Sequence, residues 1–457
     1  MYSIHTFLLQ KELFRSPEPV KTTVVSSFTD TPALQQIARQ ADSDYILFYT
    51  GTSPIELHPY AIGRMYQIAE SNEGALFYSD YQEIRQGKKI HHPTLEYQTG
   101  SIRNDFDFGQ LLLFRNDSFQ QVVAQMNTDY RFAALYELRL SISRLGKIVH
   151  IPETLYTVQP TDLRLSGEKQ FDYVDPANRE VQLEMEAVCT AHLQAIGAWL
   201  APEFQRIDFG QENFAREASV IIPVRNRKRT IAEAVESALQ QQTDFSFNVI
   251  VVDNHSTDGT GQILTELSRR YPNLIHHIPA STELGIGGCW TEAILLPECG
   301  KFAIQLDSDD LYKDCHVLQR IVDTFYQENC AMVIGSYQMV DFKLEEIPPG
   351  LIAHREWTPD NGRNNALRIN GLGAPRAFYT PVLRQIKFPN VSYGEDYATA
   401  LAISRKYLIA RIYDPLYLCR RWEENSDHDL DIQQLNNYNF YKDKIRTLEI
   451  QARISGK

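Results

Sequence analysis

The sequence predicts an α/β protein with a mostly parallel sheet covered by helices on both faces. Three observations predict it. From residue 218 onward, apolar runs of strand length alternate with segments of helical period. Polar residues fall just past the ends of separate apolar runs, where ligands collect in sheets of this kind. A second stretch, before residue 160, repeats the same layout with different chemistry.

The elements follow in order. "ASVIIPV" is a continuous apolar run, as expected of a strand buried on both faces. "TIAEAVESALQQQ" is a helix, with Thr230 and Glu233 at capping-box spacing and Ile231, Ala234, Val235, Ala238 and Leu239 on one face. "FNVIVVDN" is a second strand and "GTGQILTELSRRY" a second helix, with Asp258 as its expected cap. "LIHHIPA", "GGCWTEAILL" and "KFAIQL" give a third strand, a short helix and a fourth strand. Asn226, Asp253 and Asp307 each lie just past a strand end, so the topology brings them to one crevice.

Upstream, "VDPANREVQLEMEAVCTAHLQAIGAWL" reads as a long linking helix with Asp175 as cap and Pro176 in its first turn. "DIQQLNNYNFYKDKIRTLEIQARI" reads as a C-terminal amphipathic helix, docked or pairing with a second chain. The early stretch "DYILFYTGTSPIELHPYAIGRMYQIAESNEGALFYSDYQEI" matches the layout of "KFAIQLDSDDLYKDCHVLQRIVDTFYQENCAMVIGSYQMV". "YELRLSISRLGKIVHIPETLYTV" parallels "YATALAISRKYLIARIYDPLYLC". Thr50, Thr52 and Ser53 stand where the later segment has Asp307, Asp309 and Asp310, and Ala134 and Leu135 stand for Glu395 and Asp396. The expected divisions are therefore a degenerate α/β copy over 1–165, a linking helix over 166–215, a catalytic domain over 216–428 and a terminal helix over 429–457.

Bulk properties narrow the function. The chain has 457 residues, 43% hydrophobic and 23% charged, as a multidomain globular protein would. Its net charge of −13 argues against a nucleic-acid binder or a polybasic lipid anchor. No apolar run reaches the ~20 residues of a membrane span, and no signal peptide is expected. The six cysteines lack paired zinc spacing and suggest reduced thiols in a cytoplasmic protein.

Three constellations carry chemistry. "LDSDDLY" gathers Asp307, Asp309 and Asp310 at a strand end, suited to a hard divalent cation such as Mg²⁺ or Mn²⁺ that takes few protein oxygens. Asp253 in "VVDNHSTDGT" can accept hydrogen bonds from a base or ribose. Glu395 and Asp396 in "YGEDYATALAISR" open a helix, either as dipole complements or as a general base.

"SVIIPVRN", "VIVVDNHSTDGT", "GIGG", "LDSDDLY" and "GED" together resemble, in order and spacing, the family 2 glycosyltransferases with the GT-A fold, over about residues 218–425. The resemblance implies that Pro223, Arg225, Asn226, Asp253, Gly285, Asp307 and Ser308 line the nucleotide and donor. It implies a Mn²⁺ or Mg²⁺ ion on Asp309, with Asp310 beside it, and Asp396, next to Glu395, as the base that deprotonates an acceptor hydroxyl. Trp290, Arg376, Arg420, Arg421, Trp422 and His428 become candidate diphosphate or acceptor contacts. The chain departs from the family where Arg225 replaces an aromatic, Glu283 an asparagine, and Trp290 and Thr291 an Arg-Asn pair.

The implied activity is inverting transfer from a nucleoside-diphosphate sugar, with UDP-sugar favoured, to a saccharide or other hydroxyl acceptor. A second copy of the chain, in a homo-oligomer, is among the expected partners. The competing readings are a non-catalytic scaffold of a glycan assembly complex and a sugar-nucleotide nucleotidyltransferase. The second needs a Gly-rich loop after the first strand, and "PVRNRKRT" has no glycine there.

Overall fold

The computed structural model describes residues 2–159, 178–210, 213–422 and 430–456. The chain divides into two compact units, Met1–Trp199 with Leu430–Lys457, and Leu200–Asp429. Asp175, Pro176 and His428 lie outside the described residues.

The first unit holds strands β1 (Ile4–Leu8), β2 (Phe14–Arg15), β3 (Lys21–Val24), β4 (Tyr45–Tyr49), β5 (Ile55–Leu57), β6 (Gly74–Arg85), β7 (Lys88–His92), β8 (Leu111–Arg115) and β9 (Lys147–Val158). Its helices are α1 (Thr31–Gln40), α2 (Ala61–Ser71), α3 (Asn116–Val123), α4 (Ala134–Leu145) and α5 (Arg179–Ala195). The strands form one sheet in the order β2-β5-β9-β6-β8-β4-β1-β3, with β7 on β6. Alternation along β4 sorts its side chains onto two cores. Tyr45, Leu47 and Tyr49 join Met65 and Phe77 on one face, while Ile46 and Phe48 join Leu34, Phe114 and Phe119 on the other.

The second unit holds β10 (Ala218–Val224), β11 (Phe247–Asp253), β12 (Leu274–His277), β13 (Phe302–Gln305), β14 (Leu311–Tyr312), β15 (Met332–Val340), β16 (Glu346–Ile352), β17 (Arg376–Tyr379) and β18 (Ile409–Arg420). Its helices are α6 (Ile231–Leu239), α7 (Thr260–Arg270), α8 (Ile286–Leu295), α9 (Val317–Glu328), α10 (Gly362–Asn365), α11 (Thr380–Ile386) and α12 (Glu395–Ser404). The sheet runs β12-β11-β10-β13-β17-β15-β18-β14, with β16 on β15. Its first four strands are parallel, and β17 is antiparallel to both neighbours.

The two sheets share a pairing scheme. In the first, β3-β1-β4 are parallel, β8 lies antiparallel between β4 and β6, β9 is parallel to β6, and β5 and β7 pair antiparallel. In the second, β11-β10-β13, β17, β15, β18, β14 and β16 repeat those senses in the same chain order. The difference is concentrated early. Between β11 and β13 the second unit inserts α7, β12 and α8, where the first has only α1 between β3 and β4.

Two helices fall differently from the sequence-based divisions. Helix α5 belongs to the first unit, and so does the terminal α13 (Ile432–Ile454). Asp431 caps α13 by accepting from the Gln434 N–H at 2.8 Å. Its buried face is polar: Asp443 accepts from Ser101 Oγ at 2.9 Å, Arg103 Nε at 3.2 Å and Arg446 Nη1 at 2.8 Å. An apolar-stripe search misses such a face, because ion pairing rather than hydrophobicity satisfies it.

Candidate active site

The site is assembled at the carboxyl ends of β10, β11 and β13. Strand β11 ends on Asp253, which is buried. Its carboxylate accepts from the Ser256 N–H at 2.9 Å and pairs with His276 Nε2 at 3.2 Å. Burial works against the charged form, but these partners hold Asp253 below the ordinary carboxylate range.

The loop after β10 is pinned to the loop after β11. Asn226, at φ 55°, donates its N–H to Ser256 Oγ at 2.9 Å and accepts from the Thr257 N–H at 2.8 Å. Asp258 accepts from the N–H groups of Lys228 and Thr260, each at 3.0 Å. Pro223 sits inside β10 opposite Val252, and Arg225 opens the loop in an exposed position.

Past β13 the Asp307 N–H donates to the Tyr417 hydroxyl, and its carboxylate accepts from Gln305 Nε2, both at 2.9 Å. Burial pushes Asp307 up, while Gln305 and the Arg376 charge oppose the rise. Ser308 is buried, and its carbonyl accepts from Thr230 Oγ1 at 2.9 Å. The capping box expected at α6 is therefore not made. Thr230 is diverted to the acidic loop, and Glu233 pairs with Arg420.

The three clustered aspartates have different environments. Asp309 accepts from Trp422 Nε1 at 3.1 Å and lies 3.8 Å from Arg227 Nε. Asp310 is turned inward and accepts from the Arg420 N–H at 2.7 Å. Burial, then the charges of Asp309 and Asp307, push Asp310 well above the usual carboxylate range. The structure thus corrects Asp310 from a metal ligand beside Asp309 to an anchor of the loop. Among the described residues no three His, Cys, Asp or Glu side chains converge as a metal cage.

The acceptor-side carboxylates open α12 after Gly394, whose φ of 78° an L side chain rarely adopts. Arg376 Nη2 lies 2.7 Å from Asp396 Oδ2, and Arg376 Nη1 donates to Gln305 Oε1 at 3.1 Å. Glu395 is buried. Burial first, then the Asp396 charge, raise it to about 8. Its Oε2 has no hydrogen-bond partner among the described residues.

Other expected contacts are corrected. A Cβ on Gly285 would stand 2.6 Å from the Val391 carbonyl carbon, and one on Gly287 2.0 Å from the Pro389 oxygen. The "GIGG" glycines therefore form a packing seam that carries the "GED" turn, so Gly285 is a close-approach residue rather than a donor contact. Trp290 is buried against Phe378 and Phe388, with ring centroids 5.7 and 5.2 Å away, and is core. The Arg420 guanidinium is buried and committed to Glu233 and the Asp309 carbonyl, so it clamps the acidic loop instead of presenting a phosphate fork. Arg421 is half-buried, and its N–H donates to the Val340 carbonyl at 2.9 Å. Trp422 does reach the acidic loop, with Arg227 and Arg229 over its ring at 5.7 and 5.1 Å.

Sequence reasoning missed Gln305, Tyr417, His276 and Arg227. Gln305 had a signal, being a polar residue in an otherwise apolar strand. Tyr417 lies in "YDPLYLC", which the sequence marks only as a parallel of the first copy's "ETLYTV".

The chain is similar to known proteins. The model of "Glycosyl transferase family 2" matches residues 219–386. The chain is 32% identical over 123 residues, 27% of its length, to an uncharacterized glycosyltransferase of Nostoc sp., of which it covers 37%. It is 24% identical over 230 residues, 49% of its length, to the poly(ribitol-phosphate) beta-glucosyltransferase of Bacillus spizizenii, of which it covers 35%. It thus spans little more than a third of the length of these two relatives. The crystal structure of S. aureus TarS 1-349 in complex with UDP-GlcNAc aligns at a TM-score of 0.40 and 22% identity, covering 52% of this chain and 72% of that one. The family match falls within the second unit, which holds the carboxylate site described above.

Proposed function

We propose that the second unit transfers a sugar, with inversion, from a nucleoside-diphosphate sugar to a hydroxyl acceptor, and that the first unit is a duplicated copy without that chemistry. One observation carries the reading. Gln305 and Arg376 join Asp307 of "LDSDD" to Asp396 of "GED", so a donor-side and an acceptor-side carboxylate meet in one connected site.

Asp253 accepts from the base or ribose, and Asp307 and the Asn226 loop border the donor. A Mg²⁺ or Mn²⁺ ion fits on Asp309, because such ions take one or two protein carboxylates and fill their shell from phosphates and water. When bound, it would offset charge on the leaving diphosphate. Asp310 instead holds the loop that presents Asp309. Asp396, oriented by Arg376, takes the proton from the acceptor hydroxyl as that oxygen attacks the anomeric carbon from the opposite face. UDP-sugar is the favoured donor. The exposed cations Arg225, Lys228 and Arg229 share a loop with Arg227, which lies 3.8 Å from Asp309, and they suit an anionic glycan acceptor. The poly(ribitol-phosphate) acceptor named for one relative is of that kind. We place the reaction in the cytoplasm, where Cys289, Cys299, Cys315 and Cys330 would stay reduced. Among the described residues no helix is long and apolar enough to cross a membrane.

A thermal-shift panel of nucleoside diphosphates and sugar nucleotides, with Mn²⁺, Mg²⁺ or EDTA, tests this. A ligand at a hundredfold excess over Kd stabilises the folded state by about 2.7 kcal/mol. A uridine ligand should shift the melt only with metal, and Asp309→Ala should abolish that shift. An equal shift in EDTA would remove the metal. No shift with any sugar nucleotide would remove the donor.

A further inference from the structure

We propose that Gln305 is a positioning residue of the transfer site, a neutral bridge that fixes Asp307 and Arg376 together and through Arg376 aims Asp396. The inference rests on the glycosyl-transfer reading.

Gln305 is buried at the end of β13. Its Nε2 donates to Asp307 Oδ1 at 2.9 Å, and its Oε1 accepts from both the N–H and Nη1 of Arg376 at 3.1 Å. The amide orientation follows from chemistry. A guanidinium only donates and a carboxylate only accepts, so Oε1 must face Arg376 and Nε2 must face Asp307. A glutamate could serve Arg376 but would set a second carboxylate against Asp307. An apolar residue of this size would serve neither. Arg376 then reaches Asp396 at 2.7 Å through Nη2.

The first unit supplies an internal control. In the second unit the β13–β17 register pairs Ile304 with Ala377, and one step further places Gln305 beside Arg376. In the first, the corresponding β4–β8 register pairs Leu47 with Leu113 and then Phe48 with Leu112. Both of these are buried hydrophobics in one core. The same two-strand contact therefore forms with two apolar side chains. The sheet does not require the polar bridge, and burying an amide and a guanidinium is costly unless each is satisfied. Bridge and carboxylates are absent together: Thr50 stands for Asp307, and Leu135 for Asp396.

The test is a double-mutant cycle on the full chain, with turnover and melting temperature measured for wild type, Gln305→Met, Gln305→Glu, Arg376→Met and the Gln305→Met/Arg376→Met double variant. Misplacing reacting groups by about 1 Å can cost 10²-fold. Gln305→Met should therefore lose about 10- to 100-fold in kcat, and Gln305→Glu at least as much. Adding Gln305→Met to Arg376→Met should cost almost nothing further, because the bridge acts through the arginine. Wild-type turnover in Gln305→Met or in Gln305→Glu overturns the bridge. So does a loss that is additive with Arg376→Met and tracks the melting temperature, which is what a packing role predicts. If Gln305→Met does not fold, the Glu variant carries the decision. A wild-type chain inactive on every donor overturns the glycosyl-transfer reading itself, and this inference with it.

Discussion

Strand β4 ends at Tyr49 and is followed by Thr50, and strand β13 ends at Gln305 and is followed by Leu306 and Asp307, at the same place in two sheets of matching pairing order. The first ending is satisfied locally. The Thr50 N–H and hydroxyl both donate to the Gln110 carbonyl, at 2.9 and 3.3 Å, and Ser53 Oγ donates to the Gln159 carbonyl at 3.1 Å. The second ending is electrostatically strained. Other carboxylates follow the contrast in part, since burial also raises Glu137 in the first unit and its partners hold Asp253 down in the second. In the first unit Asp80 and Glu83 are held below their ordinary values in spite of burial: His150 and Thr94 serve Asp80, while His92 and Arg85 serve Glu83. In the second, burial pushes Asp307, Asp310 and Glu395 up without full compensation. The two strand ends share a topology, and only the second is followed by buried carboxylates pushed upward, so the strand forms without those charges. Groups with perturbed ionisation in a cleft point to function.

The largest test of this contrast is Asp396→Asn, expected to lower turnover by about 10²–10⁴ while leaving the donor-induced melting shift nearly intact. The matching change in the first unit, Leu135→Asn, should leave turnover alone. Comparable losses from both would erase the distinction between the units.

Next is Asp443→Ala in the first unit. It removes the buried carboxylate shared by the guanidinium groups of Arg103 and Arg446. Removing one partner of a buried ion pair typically costs about 3–5 kcal/mol. Chemical denaturation followed in the first unit should show that loss, with donor binding to the second unit preserved. A loss under about 1 kcal/mol would mean that α13 is held by something other than this cluster.

Glu395 gives a pH signature. Its folded value near 8 lies above the usual ~4.3 of a free glutamate, so the folded state binds the proton more tightly. Its contribution to stability is greatest below about 4.3 and declines as pH rises toward about 8. Glu395→Gln mimics the protonated form. Its melting temperature should exceed that of wild type above pH 8, and the gap should close near pH 5. A gap independent of pH would show that Glu395 is ionised throughout.

The smallest effect is expected at His92. Burial opposes its charge, but Asp107 and Glu83 raise it to about 9. That stabilisation is complete below about 6.5 and is lost as pH rises through about 9. His92→Gln should therefore destabilise the first unit more at pH 6 than at pH 10. The opposite trend would mean that the histidine is buried neutral.

Much of the site was legible in the sequence because strand ends and turn residues are local signals. "LDSDD" does follow a strand and "GED" does open a helix, so Asp307 and Asp309 lie past β13 and Asp396 in the first turn of α12. The errors share a cause. Gly285, Trp290, Asp310 and Arg420 carry residue types that bind ligands, but each is committed to a neighbour distant in sequence. The capping box failed for the same reason, since Thr230 and Glu233 have the right spacing and better partners across the fold.

The sequence by itself determined the alternation of strands and helices, the repeat of that layout and the loss of charge from the first copy. These follow from periodicity and residue type, which need no knowledge of neighbours. Only the tertiary structure decided that Asp310 is turned inward, which arginine meets Asp396, and that a strand glutamine stands between that arginine and Asp307. Such contacts depend on which strands pair and in what register, and β13 meets β17 only after some seventy residues of intervening chain.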